Sequence, residues 1–289
     1  MTEEPFGLLV VDKPRGVTSH DVVARARKAI GIRKIGHAGT LDPLATGVVV
    51  LALGRATRLI RYVQDQQKEY VALVQFGVAT DTLDADGAET ARTPMSFDRQ
   101  ALLEALAAFR GEIEQIPPMV SALKHEGKRL YEIARSGVEV DRRPRLVTIH
   151  QLELNEFFPE EFPRAELRIV CSKGTYIRSL ADDIARSLGG RAHLLDLRRV
   201  RVGVFSLDRS VALDHLDTWR SSLRNPVEAV SELTEWRASD EEAAAVQHGR
   251  RLPSPTGANG HWAVVDHDDH LLAVYRQRGR EAVAEVVLA

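Results

Sequence analysis

Among 289 residues there is a single cysteine, Cys171. It has no partner for an internal disulfide, which excludes the stapled scaffolds of small secreted domains. Lying in a strand-like run, it reads as a small buried hydrophobe. Long apolar runs are missing too: stretches such as residues 48–53 (VVVLAL) fall far short of the roughly 20 residues that span a bilayer. The chain opens Met-Thr-Glu-Glu-Pro, with acids where a signal or transit peptide carries positive charge. A cytoplasmic location without membrane contact is therefore expected. Neither G-x-x-x-x-G-K-[ST] nor G-x-G-x-x-G occurs, so nucleotide cofactors have no evident cradle. His261, His267 and His270 lack cysteine partners and helical i, i+4 spacing, and read as turn and edge residues, not zinc ligands. Residues 81–87 (DTLDADG) look like a calcium loop. Placing Gly87 at the loop glycine, however, puts Thr82 at the first ligand position and Thr93 where a bidentate Glu belongs. No metal and no cofactor is expected.

What is present fits a globular protein, with 44% hydrophobic and 28% charged residues. The length suits one large domain plus a small one. A net charge of −2 says little, but its distribution is uneven. From Lys13 to Arg61 the only acids are Asp21 and Asp42, and from Arg186 to Arg201 the only acid is Asp196. Residues 207–247 are instead acidic. Basic stretches of this kind suit a polyanion-binding face or simply solvated helix faces, and charge alone leaves both open.

Periodicity gives the organisation. Residues 7–12 (GLLVVD) form a buried strand. Thr18 or Ser19 caps a helix with Val22, Val23, Ala26 and Ile30 on its apolar face, stopped by Gly31. Residues 48–53 and 69–76 read as strands, and 55–64 and 98–109 as helices. Residues 117–145 are rich in Lys and Arg, open with Pro-Pro, and read as an insertion. Strands at 147–154 and 165–172, a helix at 175–188 and a strand at 193–200 follow. The expected class is α/β in the sense of mixed α+β, on a largely antiparallel sheet with flanking helices and not doubly wound. The domain boundary falls near residue 230. Residues 231–289 make a small β-domain with an acidic helix at 240–248, two strands around the turn 266–269 and a last strand at 282–288; so short a unit leans on its neighbour for core.

Residues 36–47 (GHAGTLDPLATG) stand apart. Three glycines and Asp42-Pro43 compress special backbone geometry between a helix and a buried strand. A turn alone accounts for Gly39 and Asp42-Pro43, since Asp bonds readily to its own loop backbone. A rigid loop is equally a place to present one carboxylate.

This segment resembles the signature loop of the bacterial tRNA pseudouridine(55) synthases of the TruB type. Further blocks are similar to that family in the same order: GLLVVDK, GVTSHD, GRATRL, Lys68-Glu69-Tyr70, GVATDTLDADG, PMVSALKHEGKRLYEIARSG, CSKGTYIR and HLLDLRR, together spanning most of residues 7–205. The resemblance implies a catalytic domain over residues 1–230, with a basic RNA-clasping insertion at about 117–145, and a C-terminal PUA-like RNA-binding domain. It implies an isomerase that flips uridine 55 out of the T loop of tRNA, breaks its C1′–N1 bond, rotates the base and rejoins C1′ to C5. Asp42 is then the nucleophile, since a carboxylate can both attack and leave. Arg178 is its charge partner, and Tyr70 stacks on the target base and helps remove the C5 proton. His37, Tyr176, Leu197 and Asp84 contact the flipped nucleotide or its surroundings. Lys13, Lys124, Lys128, Arg129, Arg142 and Arg143 meet RNA phosphates, which position without reading sequence. The implied partner is the T-arm stem-loop of tRNA, with no obligate protein partner and a monomeric enzyme. A non-catalytic tRNA-folding protein and a guide-RNA-dependent relative are the competing readings. The first should have lost Asp42 or Arg178, and the second should carry extra protein-binding extensions.

Overall fold

The structure is a computed structural model that describes residues 5–120, 124–125, 128–129, 140–255 and 260–288. The chain divides into two compact units. One comprises Met1–Leu41, Val48–Asp65 and Val202–Ala289, the other Asp42–Gly47 and Gln66–Arg201.

In the first unit, strand β1 (Gly7–Lys13) is buried along its length and pairs in parallel with β14 (Val211–Ala212), near the short strand β13 (Phe205–Ser206) in sequence. Helix α1 (Ser19–Ile30) begins where expected. Thr18 caps it reciprocally with Asp21, and Gly31 ends it at φ 79°, the left-handed conformation that a C-terminal cap needs. β2 (Ile35–His37) pairs with β3 (Thr46–Leu53) in antiparallel register. Residues 54–65, expected as one helix, form a 3-10 turn over Gly54–Leu59 that runs into α2 (Ile60–Asp65).

The C-terminal strands lie in the same unit. β15 (Thr234–Arg237), β17 (His261–Val265), β18 (Leu271–Arg278), β19 (Glu281–Val287) and β16 (Leu252–Pro253) form a five-stranded sheet in that order, with α5 (Asp240–Gln247) capped by Ser239. Between β17 and β18, Asp266 Oδ1 accepts from the backbone N–H groups of Asp268 and His270, closing the expected turn. Ala263, Val265, Val274 and Val286 belong to one apolar cluster with Leu8, Val10, Val48 and Val50. The compact units therefore do not part at residue 230, because this sheet completes a core that the N-terminal strands begin. Trp262 and Tyr275 line a second cluster, with Trp236 edge-on to both.

The second unit is built on the sheet β12 (Ala192–Val202), β4 (Lys68–Phe76), β11 (Arg164–Cys171), β10 (Arg145–Phe158) and β7 (Gly111–Gln115), in that order. β4–β11, β11–β10 and β10–β7 are antiparallel, while Thr46 and Gly47 at the start of β3 pair in parallel with Arg198 and Arg199. The sheet is thus mixed and largely antiparallel. Helix α3 (Arg99–Ala108), capped by Asp98, packs on β10, and α4 (Ile177–Ser187) packs on β4. A hairpin joins β5 (Val78–Thr80) to β6 (Glu89–Arg92), and β8 (Lys124–His125) pairs with β9 (Lys128–Arg129). Among the described residues no helix is long and apolar enough to cross a membrane.

Candidate active site

Asp42 opens a tight turn. The Ala45 N–H donates to the Asp42 carbonyl at 3.1 Å, with Pro43 supplying the φ that the second turn position wants. Leu44 and Ala45 are buried and anchor the turn, whereas the Asp42 side chain keeps 39% of its surface exposed. The turn feeds directly into Gly47, at φ 101° and in register with Arg199. A Cβ there would sit 2.2 Å from the Arg199 carbonyl oxygen, so only glycine brings this strand against β12.

Arg178 lies in the first turn of α4 and is buried. A cation at a helix N-terminus opposes the helix dipole, and its guanidinium is offset here by four acceptors. Nη2 contacts Asp42 Oδ2 at 2.8 Å and donates to the Val120 carbonyl at 2.8 Å. Nη1 donates to the Thr82 carbonyl at 2.7 Å and lies 3.5 Å from Asp84 Oδ2. One guanidinium therefore sits between two carboxylates.

Asp84 is fixed by its own turn. Thr82 Oγ1 donates to Asp84 Oδ1 at 2.6 Å, as does the Asp86 N–H at 3.2 Å, and Leu83 takes a positive φ of 63°. Burial pushes the Asp84 carboxyl above its usual range, against the opposing pull of Thr82 and Arg178. The calcium-like segment 81–87 is thus a turn that closes on itself, with the Asp81 N–H bonded to the Ala88 carbonyl.

Tyr70 is buried on β4, opposite Ile169. Burial raises its phenol pKa, and the positive charge of Arg199 opposes that shift. Arg199 itself is 1% exposed. Cys171 is buried beside it, its thiol pushed up to about 11 by burial. Tyr176 holds the N-cap position of α4, two residues before Arg178, and Leu197 is a buried residue of β12 two before Arg199.

The sequence-predicted residues divide accordingly. Asp42, Arg178 and Asp84 are in direct contact, and the Asp42 charge is felt at Tyr70. His37 belongs to β2 in the other unit and stands edge-on to His20 at 5.2 Å. Lys13 requires a correction: it is completely buried, and its ammonium donates to the Pro14 and Val17 carbonyls, so it is not offered to a phosphate. Arg143 is exposed, while Arg142 donates to the Pro117 carbonyl at 3.1 Å. The side chains of Lys124, Lys128 and Arg129 lie outside the described residues. Part of the basic stretch 186–201 is paired internally: Arg186 and Arg191 share Asp182, and Arg201 shares Glu69 with Arg168.

Two residues of this region escaped the sequence reading, Arg199 and Gln115. The HLLDLRR block contained Arg199 but gave no reason to separate it from its neighbours. Gln115, 2% exposed at the end of β7, bonds both backbone groups of Tyr176. The arrangement presents a charge-paired, solvent-accessible carboxylate beside a buried phenol. That combination suits covalent catalysis on a substrate inserted into the site.

The chain is similar to known proteins over most of its length. A family model described as TruB family pseudouridylate synthase (N terminal domain) matches residues 27–177. Models described as tRNA pseudouridylate synthase B C-terminal domain and tRNA Pseudouridine synthase II, C terminal, match residues 178–233 and 234–289. The chain is 46% identical over 259 residues to the tRNA pseudouridine synthase B of Azoarcus sp. (strain BH72), covering 88% of this chain and 85% of that protein. It is 48% identical over 247 residues to the enzyme of the same name from Symbiobacterium thermophilum, covering 85% and 83%. Among solved structures, a chain from the crystal structure of a Cbf5-Nop10-Gar1 complex superposes with a TM-score of 0.77 at 27% identity, covering 98% of this chain and 85% of that one.

Proposed function

The chain belongs to the TruB family of pseudouridylate synthases, and from that premise we propose that it isomerises uridine 55 in the T loop of tRNA, with Asp42 as nucleophile. The observation that carries the assignment is the 2.8 Å pair between Arg178 and Asp42, made by a buried guanidinium to a carboxylate that stays accessible.

The reaction is an isomerisation and needs no external reagent. The uridine is extruded from the loop, and the C1′–N1 bond breaks while Asp42 holds the nucleoside covalently. The base turns, C1′ joins C5 as the covalent bond to Asp42 is released, the C5 proton leaves, and N1 takes up a proton. Arg178 pairs with the Asp42 carboxylate at 2.8 Å and holds it in place for attack. Tyr70 stacks on the base, with the charge of Arg199 acting on its phenol, while Tyr176 and Leu197 supply the walls. Asp84 holds Arg178 from the far side of the guanidinium. His37 and Arg143 meet RNA beyond the target base, and Lys124, Lys128, Arg129 and Arg142 serve the phosphates of the stem. The catalytic machinery works as a single chain in the cytoplasm, and the C-terminal sheet is a PUA-like RNA-binding module. The identities of 46% and 48% to proteins named as tRNA enzymes, against 27% to a chain from a multi-protein complex, favour the stand-alone reading over a guided one.

The test uses unmodified tRNA carrying tritium at uridine C5. The intact chain should release tritium, whereas Asp42→Asn should release none yet still bind tRNA. Release by the Asn variant, or none by the intact chain, overturns the assignment.

A further inference from the structure

Helix ends need partners for their unpaired backbone groups, and Ser, Thr, Asp and Asn at the N-cap supply them locally. Helices α1, α3 and α5 follow this rule through Thr18, Asp98 and Ser239. Helix α4 does not. Its N-cap residue is Tyr176, whose side chain makes no capping bond.

One of the backbone donors at this helix start, the N–H of the N-cap residue itself, is instead paired by a side chain 61 residues away. Gln115 Oε1 accepts from the Tyr176 N–H at 2.7 Å, and Gln115 Nε2 donates to the Tyr176 carbonyl at 3.0 Å. A primary amide carries both kinds of group on one plane and can engage the N–H and C=O of a single residue. The same carbonyl accepts the first helical bond, from the Leu180 N–H at 3.0 Å, so Gln115 grips the helix where it starts. Gln115 is buried at the end of β7, and its register opposite Arg145 fixes it to the sheet. The following residues repeat the connection: Ser179 Oγ donates to the Ile116 carbonyl at 3.1 Å, and Arg178 Nη2 to that of Val120 at 2.8 Å.

We propose that Gln115 is a positioning residue for the reaction: through Tyr176 it sets the first turn of α4, and with it the guanidinium of Arg178 against Asp42. This rests on the function proposed above. Helix α4 forgoes a local cap because the Tyr176 side chain is needed at the site, and Gln115 anchors the N-cap residue by both of its backbone groups. Arg178 meets its closest partners at 2.7–2.8 Å, so a small slide of this turn breaks the pair. Misplacement of a catalytic group by about 1 Å costs on the order of 100-fold in rate.

The experiment measures single-turnover tritium release and tRNA affinity for the wild type, Gln115→Met and Gln115→Glu across mildly acidic to mildly alkaline pH. Methionine keeps the length and removes both polar contacts, so release should slow by roughly tenfold or more at unchanged affinity for tRNA. Glutamate keeps the acceptor, but when ionised it turns a second oxygen toward the Tyr176 carbonyl. Protonated, it donates as glutamine does. Burial against a carbonyl raises the pKa of such an acid, so the Glu variant should approach the wild-type rate at acidic pH and fall behind as pH rises. A purely structural role lowers stability without tying the rate ratio to pH. The proposal is overturned by a folded Gln115→Met that reacts at the wild-type rate, by a loss confined to tRNA affinity, or by a pH-independent Glu-to-wild-type ratio. If the Met variant fails to fold, the Glu ratio decides alone. A wild type that releases no tritium overturns the function, and with it the role of Gln115, whereas an active wild type with an unaffected Gln115→Met overturns the role of Gln115 alone.

Discussion

Replacing Arg178 by lysine keeps the charge and removes the fork. The two terminal nitrogens of Arg178 donate to the Thr82 and Val120 carbonyls and pair with the Asp42 and Asp84 carboxylates. A lysine ammonium has three donors on a single atom and cannot reach acceptors arrayed around a planar guanidinium. At least one buried carbonyl loses its donor, at a cost of about 1–3 kcal/mol. Arg178 also pairs with Asp42 at 2.8 Å, and a shorter or misdirected ammonium forfeits part of that attraction. At about 1.4 kcal/mol per factor of ten, Arg178→Lys should slow single-turnover tritium release roughly ten- to 100-fold, while urea denaturation shows a loss of about 1–3 kcal/mol. Filter binding of tRNA should be unchanged, because the guanidinium is buried and spends its bonds inside the protein. A lysine variant with the wild-type rate would show that charge alone suffices and that the four-way geometry is irrelevant. A loss confined to tRNA binding would move Arg178 out of the chemistry altogether.

Two further outcomes follow from the same unit. Gly47→Ala places a Cβ 2.2 Å from the Arg199 carbonyl at a φ of 101°. Strain and overpacking together should cost about 2–4 kcal/mol in urea denaturation, and a neutral substitution would mean that β3 and β12 separate freely. Burial pushes Glu69 up, but Arg168 at 2.7 Å and Arg201 outweigh it and hold the carboxyl below its usual value. A depressed folded-state pKa stabilises above the unfolded value and is lost as pH falls through the folded one. Wild-type stability should therefore drop below about pH 4.3, with Glu69→Gln less stable at neutral pH and flatter in acid. Both arginines are partly exposed, so salt should weaken the difference; equal acid profiles refute it.

The fold was legible wherever a local rule was strong. The Thr18 cap, the Gly31 stop and the apolar strands of residues 7–12 and 48–53 follow from side chains that act on their own neighbourhood. Short exposed strands were not legible. β6 is exposed throughout and β7 nearly so, and neither offers an apolar alternation to detect. β15 is visible only through its parallel pairing with β17. Lys13 was misread because lysine seldom lies fully buried, and its two carbonyl acceptors are set by the chain's course after β1. Within the site, the residues of the Asp42 loop and of the CSKGTYIR block carried enough pattern to be found. Arg199 and Gln115 act through contacts with residues far along the chain, and no spacing rule reports them.

Tyrosine in place of a cap also bears on when the protein becomes competent. The first turn of α4 cannot nucleate firmly from its own sequence, since its start is completed by a side chain 61 residues upstream. Bringing those segments together requires the sheet that carries β7 to have formed, and such long-range closure comes late on a folding route. Arg178 therefore gains its fixed position only after the surrounding sheet is in place. A chain in which that sheet has not formed lacks the assembled Arg178–Asp42 pair.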